Sequence, residues 1–251
     1  MSLETFAYLF IAGGVCGAIN AVAGGATLIG FPVLISVGLT PSMANASNFL
    51  ATMPGYAAAI PSYFKEIKRM RKAILVIILA SVFGGMLGSL ILIASPSAVF
   101  VKLTPYLLLV ATLLYAFGGV IHRYITRKRD DSLKDSFIGK FVIFIFSIYG
   151  GYFGAGLGII VLSILKIIGF HDYHEANAIK SIMITAVSIF SIVIFIAGGL
   201  ISWPESIVMM VGSAMGGYNA AKYAKNIPQV FLKNIIVVIG LSFSAYYFYS
   251  A

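Results

Sequence analysis

The stretch that decides the fold is Asn20-Ala-Val-Ala-Gly-Gly-Ala-Thr27, where adjacent glycines interrupt a long apolar run. A second stretch in the other half of the chain, Gly150-Gly-Tyr-Phe-Gly-Ala-Gly-Leu-Gly158, does the same. Gly25 falls on Gly156 at an offset that also aligns the glycines of the next turns. Paired, glycine-broken membrane segments in two halves of a chain indicate the binding site of a transporter.

The composition predicts an α-helical protein that crosses a lipid bilayer several times. Of its 251 residues, 60% are hydrophobic and only 10% are charged, and the mean hydropathy is +1.01. A soluble domain carries about 25% charged residues. Several apolar runs approach the roughly 20 residues that a helix needs to cross a bilayer. We therefore expect a multi-pass protein of the cell membrane.

The formal net charge of +9 does not indicate a nucleic-acid partner. Most of the positive charge lies in two short loops, Lys65 to Lys72 and Arg123 to Lys134. Basic residues concentrate in this way in the cytoplasmic loops of membrane proteins. The two loops are therefore expected on the cytoplasmic side.

Each half of the chain is predicted to form one glycine-broken helical pair followed by three continuous transmembrane helices. The expected segments are 5–21, 26–37, 42–63, 73–94 and 104–122, then 137–153, 157–168, 174–199, 204–224 and 230–249. The domains follow as a first membrane repeat (1–122), a basic cytoplasmic linker (123–136) and a second membrane repeat (137–251). Because the basic loops share a side, helices 42–63 and 174–199 would run in opposite directions, which predicts inverted-topology repeats.

Polar residues follow one stripe on the helix after each break. In the first half they recur at helical spacing, and in the second half a lysine lies beside them. They are Asn45, Asn48 and Thr52, and then Asn177, Lys180, Ser181, Thr185 and Ser188. Such residues at membrane depth face a wet cavity or bond to neighbouring helices, and both interpretations stay open.

The freed N–H groups of a broken helix, and helix N-termini, attract anions. The alternative is that the glycines only permit close helix contacts. Lys180 lies about two turns into its helix, where a charge costs about 2.5–3.5 kcal/mol on insertion scales. It would provide the counter-charge for an anion, or its ammonium would reach back to the headgroups. The predicted substrate-binding residues are Asn20, Gly24, Gly25, Asn48, Thr52, Gly154, Gly156, Asn177, Lys180 and Ser181.

The segment from His171 to Glu175 is the only stretch of the sequence that suggests a metal site. Its two histidines are three residues apart, unlike the HExxH arrangement. We interpret it as an interfacial turn that caps the next helix. No catalytic constellation with recognisable spacing is present, so the sequence predicts neither an enzyme nor a cofactor. It leaves coupling to a proton or ion gradient open.

At these residues the sequence resembles the TauE/SafE family of sulfite and organosulfonate exporters, over nearly the whole chain. The family's first motif is recognisable in Asn20, in Gly24-Gly25-Ala26 with Pro32 and Gly38, and in Ser47-Asn48-Phe49-Leu50. The second unit shows Gly154-Ala155-Gly156 and Ile179-Lys180-Ser181. The chain departs from the family where Asn20 replaces an acidic residue, Phe49 a lysine and Ala155 a proline.

The resemblance implies a secondary transporter that exports small anions such as sulfite or organosulfonates. By this interpretation the two breaks meet near the bilayer midplane, and rocking of the repeats gives alternating access. A passive anion channel is the first alternative, and a membrane-embedded metal-dependent enzyme is the second. The expected partners are a small inorganic or organic anion and the lipid bilayer, with the oligomeric state left open.

Overall fold

The computed structural model describes residues 1–22, 25–125, 136–223 and 229–250. Within them the chain forms eleven α-helices and one short 3₁₀ helix, Ile60–Tyr63. The α-helices of the first half are α1 (Leu3–Val22), α2 (Thr27–Ser36), α3 (Pro41–Ala57), α4 (Phe64–Arg69), α5 (Arg71–Ala94) and α6 (Ser97–Ile125). Those of the second half are α7 (Phe137–Tyr152), α8 (Leu157–Ile168), α9 (Tyr173–Ala197), α10 (Trp203–Tyr223) and α11 (Gln229–Ser250).

Four of the described helices are long and apolar enough to cross a membrane. Their apolar spans are Leu3–Asn20, Ile74–Ala94, Ser97–Phe117 and His174–Ala197. Shorter apolar helices include α2, α7 and α8. The prediction of an all-α polytopic membrane protein is therefore confirmed.

The two glycine-broken pairs form as the sequence predicts, within two residues at each end. In the first, α1 and α2 run in opposite directions. The start of α1 lies beside the end of α2, where the Tyr8 hydroxyl is 3.3 Å from Ser36 Oγ. Further along α1, Cys16 Sγ donates at 3.6 Å to the carbonyl oxygen of Ala26, just before α2. We call α1 with α2 the first broken hairpin, and α7 with α8 the second. Of the predicted linker, residues 126–135 lie outside the described residues, and α6 runs to Ile125.

Two predicted helices have different bounds in the structure. The segment 42–63 is not continuous, because α3 ends at Ala57 and a 3₁₀ turn follows. A proline clashes with the carbonyl four residues before it, and Pro61 therefore ends the helix at Ala57. In contrast, α6 begins at Ser97 rather than 104 and keeps Pro105 inside, which a membrane helix tolerates.

Helix contacts repeat when the two halves are exchanged. In this exchange α1 corresponds to α7, α3 to α9, α5 to α10 and α6 to α11. The pair α1–α10 has its counterpart in α7–α5, and α3–α10 has its counterpart in α9–α5. In the pairs α3–α9 and α6–α11, each helix contacts its own counterpart from the other half. The two halves are therefore interleaved rather than side by side.

Small residues bring the exchanged pairs together. A Cβ added at Gly17 of α1 would overlap the carbonyl oxygen of Ser213, and one added at Gly88 of α5 would overlap that of Ile148. Gly13 meets Met209 in the same way, so α1 and α10 run in the same direction. Such small-residue contacts let membrane helices approach closely.

The helices after the two breaks, α3 and α9, cross in opposite directions. Phe49 packs edge-on against Phe195, with ring centroids 5.4 Å apart, whereas Tyr56, further along α3, shares a cavity with Ile184, earlier in α9. Along α5, successive residues contact successive residues of α9, and Ser89 Oγ donates to Ser191 Oγ at 2.7 Å. The helices α5 and α9 therefore run in the same direction.

Candidate functional site

One aligned glycine in each break adopts a left-handed backbone conformation. Gly25 has φ 91° and Gly156 has φ 69°, both in the left-handed region. The glycines of the turns that follow, Gly38 and Gly169, have φ 98° and φ 116°. L side chains rarely adopt this conformation, so the glycines that align between the halves are required by a duplicated backbone. Gly24 lies outside the described residues.

Both breaks rest on the middle of α6. A Cβ added at Gly25 would overlap the Tyr115 ring, and one added at Gly156 would lie 3.2 Å from the carbonyl oxygen of Ala111. Ala111 and Tyr115 are one helical turn apart, about 6 Å along the axis. The two interruptions therefore lie close together inside the bundle.

A small cavity lies beside the breaks. It is lined by α2, α3, the second break, α8 and α9, which contribute Thr27, Asn48, Phe49, Thr52, Tyr56, Gly154, Leu157, Ile184 and Ser188. Thr27 and Leu157 are the first residues of α2 and α8. The N-termini of both short helices therefore meet at one cavity.

Neither N-terminus has a side-chain cap. The N-cap residues are Ala26 for α2 and Gly156 for α8, and neither has a side chain that can accept a hydrogen bond. The N–H groups of Ala26, Leu28 and Leu157 already bond to Asn20 Oδ1, Gly25 O and Gly154 O. The aligned peptide dipoles still give the N-terminus of each helix a partial positive charge. Two such ends at one cavity make it a site suited to an anion.

Asn48 and Thr52 provide polar side chains at this cavity. Asn48 is only 1% exposed, and its Oδ1 has no hydrogen-bond partner among the described residues. The amide nitrogen of the same side chain carries two donors, which can bond to an anion in the cavity. The Thr52 hydroxyl donates to Asn48 O at 2.7 Å.

Two other asparagines hold the breaks in place. Asn20 Oδ1 accepts from the backbone N–H of Ala26 at 3.1 Å, which satisfies a donor that the first break frees. Asn45 Nδ2 donates to Tyr152 O at 3.0 Å, which satisfies a carbonyl where α7 ends. Neither residue lines the cavity, so the structure places them as supports of the hairpins.

Asn177 and Lys180 form a separate pair on α9. Lys180 Nζ donates to Asn177 Oδ1 at 2.9 Å, and Lys180 is only 8% exposed. Lys180 precedes Ile184 and Ser188 on the same face of α9, one turn from the cavity, and its side chain points toward the helix N-terminus. Ser181 is buried beside the pair without lining the cavity.

The turn before α9 caps the helix. Asp172 Oδ1 accepts from the Glu175 N–H at 2.8 Å, and this hydrogen bond lowers the pKa of the Asp172 carboxyl. The Arg69 guanidinium pairs with the Glu175 carboxylate, and the rings of Tyr63 and His174 lie 6.4 Å apart. The 3₁₀ helix and α4 of the first half therefore contact the start of α9.

The predicted substrate-binding residues do not include six residues that line the cavity: Thr27, Phe49, Tyr56, Leu157, Ile184 and Ser188. Tyr56 lies one turn beyond Thr52 on the polar face of α3. Ile184 lies between Lys180 and Ser188 on the polar face of α9. Helical spacing could have identified Tyr56 and Ile184, but the predicted stripes contain only asparagine, threonine, serine and lysine. Leu157 was identifiable as the first residue after the second break.

An all-helical bundle with paired broken hairpins around a buried cavity defines a membrane transporter. The chain belongs to the family described as "Sulfite exporter TauE/SafE", whose model matches residues 9–247.

Curated relatives carry names of the same class. A "Probable membrane transporter protein" of Haemophilus influenzae is 30% identical, with 98% of this chain and 95% of the relative covered. "Probable membrane transporter protein ORF9" of a Sinorhizobium species is 25% identical, covering 96% and 92%. "Probable membrane transporter protein YfcA" of Escherichia coli K12 is 25% identical, covering 97% and 89%. No solved structure matches significantly.

Proposed function

We propose that this membrane transporter is a secondary transporter that exports small anions, such as sulfite or organosulfonates, across the cell membrane. The observation that carries the proposal is that α2 and α8 begin at one cavity, with Thr27 and Leu157 in its lining. Two partial positive charges at one buried site favour a negative ligand. The described lining contains no ionised carboxylate that would oppose an anion.

The remaining lining residues set the size and polarity of the ligand. The cavity is much smaller than a site for a drug-sized molecule, which suits a small ion. The hydroxyl of Thr27 and the amide of Asn48 can donate to its oxygens. Phe49 and Leu157 provide an apolar wall against which a short alkyl group of a sulfonate would pack.

Alternating access follows from treating the halves as inverted repeats. The helices α1, α3 and α10 run in one direction, and their counterparts α7, α9 and α5 run in the other. A rocking motion of one repeat against the other would expose the cavity to each side in turn. The fully buried lining on α3 supports an occluded form of such a cycle.

The test is transport by purified protein in liposomes that contain sulfite or ethanesulfonate. We expect saturable flux that is accelerated by the same anion on the opposite side, as a carrier cycle requires. Asn48→Leu should raise KM by about tenfold, since a hydrogen bond to a charged group contributes about 1.5–3 kcal/mol. Asn219→Leu, on the exposed face of α10, is the matched control and should leave KM unchanged.

Two results would contradict the proposal. Liposomes that move neither anion above the protein-free background would overturn the anion-transporter assignment. Flux that rises linearly with the anion concentration, and that does not change when the same anion is added on the opposite side, would instead identify a passive channel.

A further inference from the structure

The acidic residues that the structure describes all lie at the ends of helices rather than in the membrane interior. Glu4, Glu66, Glu175 and Glu205 each lie in the first turn of a helix, and Asp172 caps α9. The other three fall at 130–135, between α6 and α7 and outside the described residues. No described helix therefore carries a carboxylate beyond its first turn that could bind and release a proton during transport.

Lys180 is a buried basic residue inside an apolar span. It follows the Asp172 cap by eight residues, about 12 Å along the helix axis, inside the apolar span of α9. Its Nζ bonds to a neutral acceptor, Asn177 Oδ1, at 2.9 Å. The ion pair found among the described residues joins Arg69 to Glu175, and it does not include Lys180.

Other ionisable groups on the elements around α9 do not supply a countercharge to this lysine. Those elements and α9 itself carry Tyr56, Tyr63, Lys65, Glu66, Lys68, Arg69, Arg71, Lys72, Lys140, Tyr149, Tyr152, Lys166, Tyr173, His174 and Glu175. The acids among them are Glu66 and Glu175, neither of which forms an ion pair with Lys180. An ammonium buried without a counter-ion is costly, and an arriving anion or the loss of a proton removes that cost.

We propose that Lys180 carries the proton of the transport cycle, so that each anion crosses together with one proton, and export by this cycle is driven by the outward concentration gradient of the anion. This inference rests on the proposed anion-binding function. Lys180 is one turn from Ile184 in the cavity wall, about 6 Å along the axis, a distance its flexible four-carbon stem can span. An anion in the cavity stabilises the ammonium, and departure of the anion stabilises the amine.

The proton balance of the cycle is simple. As the anion binds, Nζ takes a proton from water on the same side and forms one N–H bond. When the anion leaves on the opposite side, that N–H bond breaks and the proton returns to water there. The empty site reorients with a neutral amine, so a monovalent anion crosses without net charge. Anion and proton binding are thus linked reciprocally.

The experiment measures proton movement with ethanesulfonate, because a sulfonate stays ionised and any proton that accompanies it is carried by the protein. A trapped pH indicator reports protons, radiolabel reports the anion, and potassium with valinomycin clamps the voltage. We expect one proton for each ethanesulfonate, and accumulation driven by an imposed pH gradient. If sulfite alone is carried, the count is made at an alkaline pH where sulfite is fully ionised.

The variant that isolates the proton is Lys180→Arg, because a guanidinium keeps its charge but does not release its proton. Proton-driven accumulation should fall by at least about tenfold relative to that variant's own anion exchange. Lys102→Arg, on the exposed face of α6, is the matched control and should transport as the wild type does. If Lys180→Arg does not fold, the wild-type proton count decides.

The outcomes separate this inference from the proposed function. Ethanesulfonate flux without protons in the wild type, or an unchanged proton count in Lys180→Arg, would overturn the role of Lys180 and leave the anion transporter standing. Liposomes that carry no anion under any gradient would overturn the proposed function, and this inference with it.

Discussion

Phe49 on α3 and Lys180 on α9 occupy equivalent positions in the two halves, related by the same offset that relates Gly25 to Gly156. The glycines share a left-handed backbone, whereas the two side chains differ completely. Phe49 packs on Phe195 at the cavity wall, and Lys180 bonds to Asn177 one turn away. The duplicated backbone therefore builds the site, and different side chains at equivalent positions, such as these two, make it asymmetric.

The largest expected effect is a loss of stability at the close glycine contacts that occur in both halves. Gly17→Val in α1 and Gly88→Val in α5 each place a side chain where a facing carbonyl oxygen already lies. Overpacking of this kind costs typically 1–3 kcal/mol, and a β-branched side chain should approach about 3 kcal/mol. Thermal unfolding of the purified variants in detergent should show a similar loss for both.

Gly14→Ala is the control for these variants. A Cβ at Gly14 would lie 3.7 Å from the carbonyl oxygen of Gly212, an ordinary contact, so this variant should unfold near the wild-type temperature. A large loss in one half alone would show that the two helix pairs are not equivalent.

The next effect compares the supports of the two breaks. Asn20→Ala removes the acceptor for the Ala26 N–H, and Asn45→Ala removes the donor to Tyr152 O. A buried polar group left without its partner costs about 1–3 kcal/mol, so both should lower the unfolding temperature. Asn219→Ala, which loses an exposed bond to Met215 O, should not. A stable Asn20→Ala variant that fails to transport would instead assign Asn20 to the ligand.

The asymmetric pair gives a smaller effect on affinity. Lys180→Met should raise KM for a transported anion by about tenfold, as expected when a charged hydrogen-bond donor is removed. Exchange of the two side chains, Phe49→Lys with Lys180→Phe, should recover part of this loss by placing the charge in the first half. Lys140→Met on α7 serves as the control in the same flux assay. An unchanged KM in Lys180→Met would remove the lysine from anion binding.

The smallest expected effect concerns the link between Arg69 and Glu175. The Arg69 side chain is 69% exposed, and exposed ion pairs contribute about 0–1 kcal/mol. Arg69→Gln should therefore lower the unfolding temperature only slightly, and the difference from wild type should shrink at high salt. A loss that persists at high salt would show that Arg69 acts through more than this pair.

The broken hairpins could be predicted from the sequence because glycine and proline act locally. The paired glycine clusters at 24–25 and 154–158 and the apolar runs around them decide where α1 ends and α8 begins. The same local logic, applied to Pro61, would have ended α3 at Ala57. Polar stripes also predicted Asn48, Thr52 and Ser188 on faces that reach the cavity.

The division of roles among the asparagines could not be predicted, because it depends on contacts between distant segments. Asn45 bonds to Tyr152, which is 107 residues away, and nothing near Asn45 in the sequence indicates this partner. Helical periodicity places Asn45 and Asn48 on one face but does not say which reaches the cavity. Likewise, the position of Lys180 one turn outside the cavity depends on how α9 crosses α3.

The central claim is that one anion binds where α2 and α8 both begin. The most direct measurement is an anomalous-scattering map of crystals soaked with selenite, the heavier analogue of sulfite. The account predicts one peak in the cavity, within hydrogen-bonding distance of Asn48 and the first turns of α2 and α8. An empty cavity at a selenite concentration that saturates transport, or a peak elsewhere in the bundle, would contradict it.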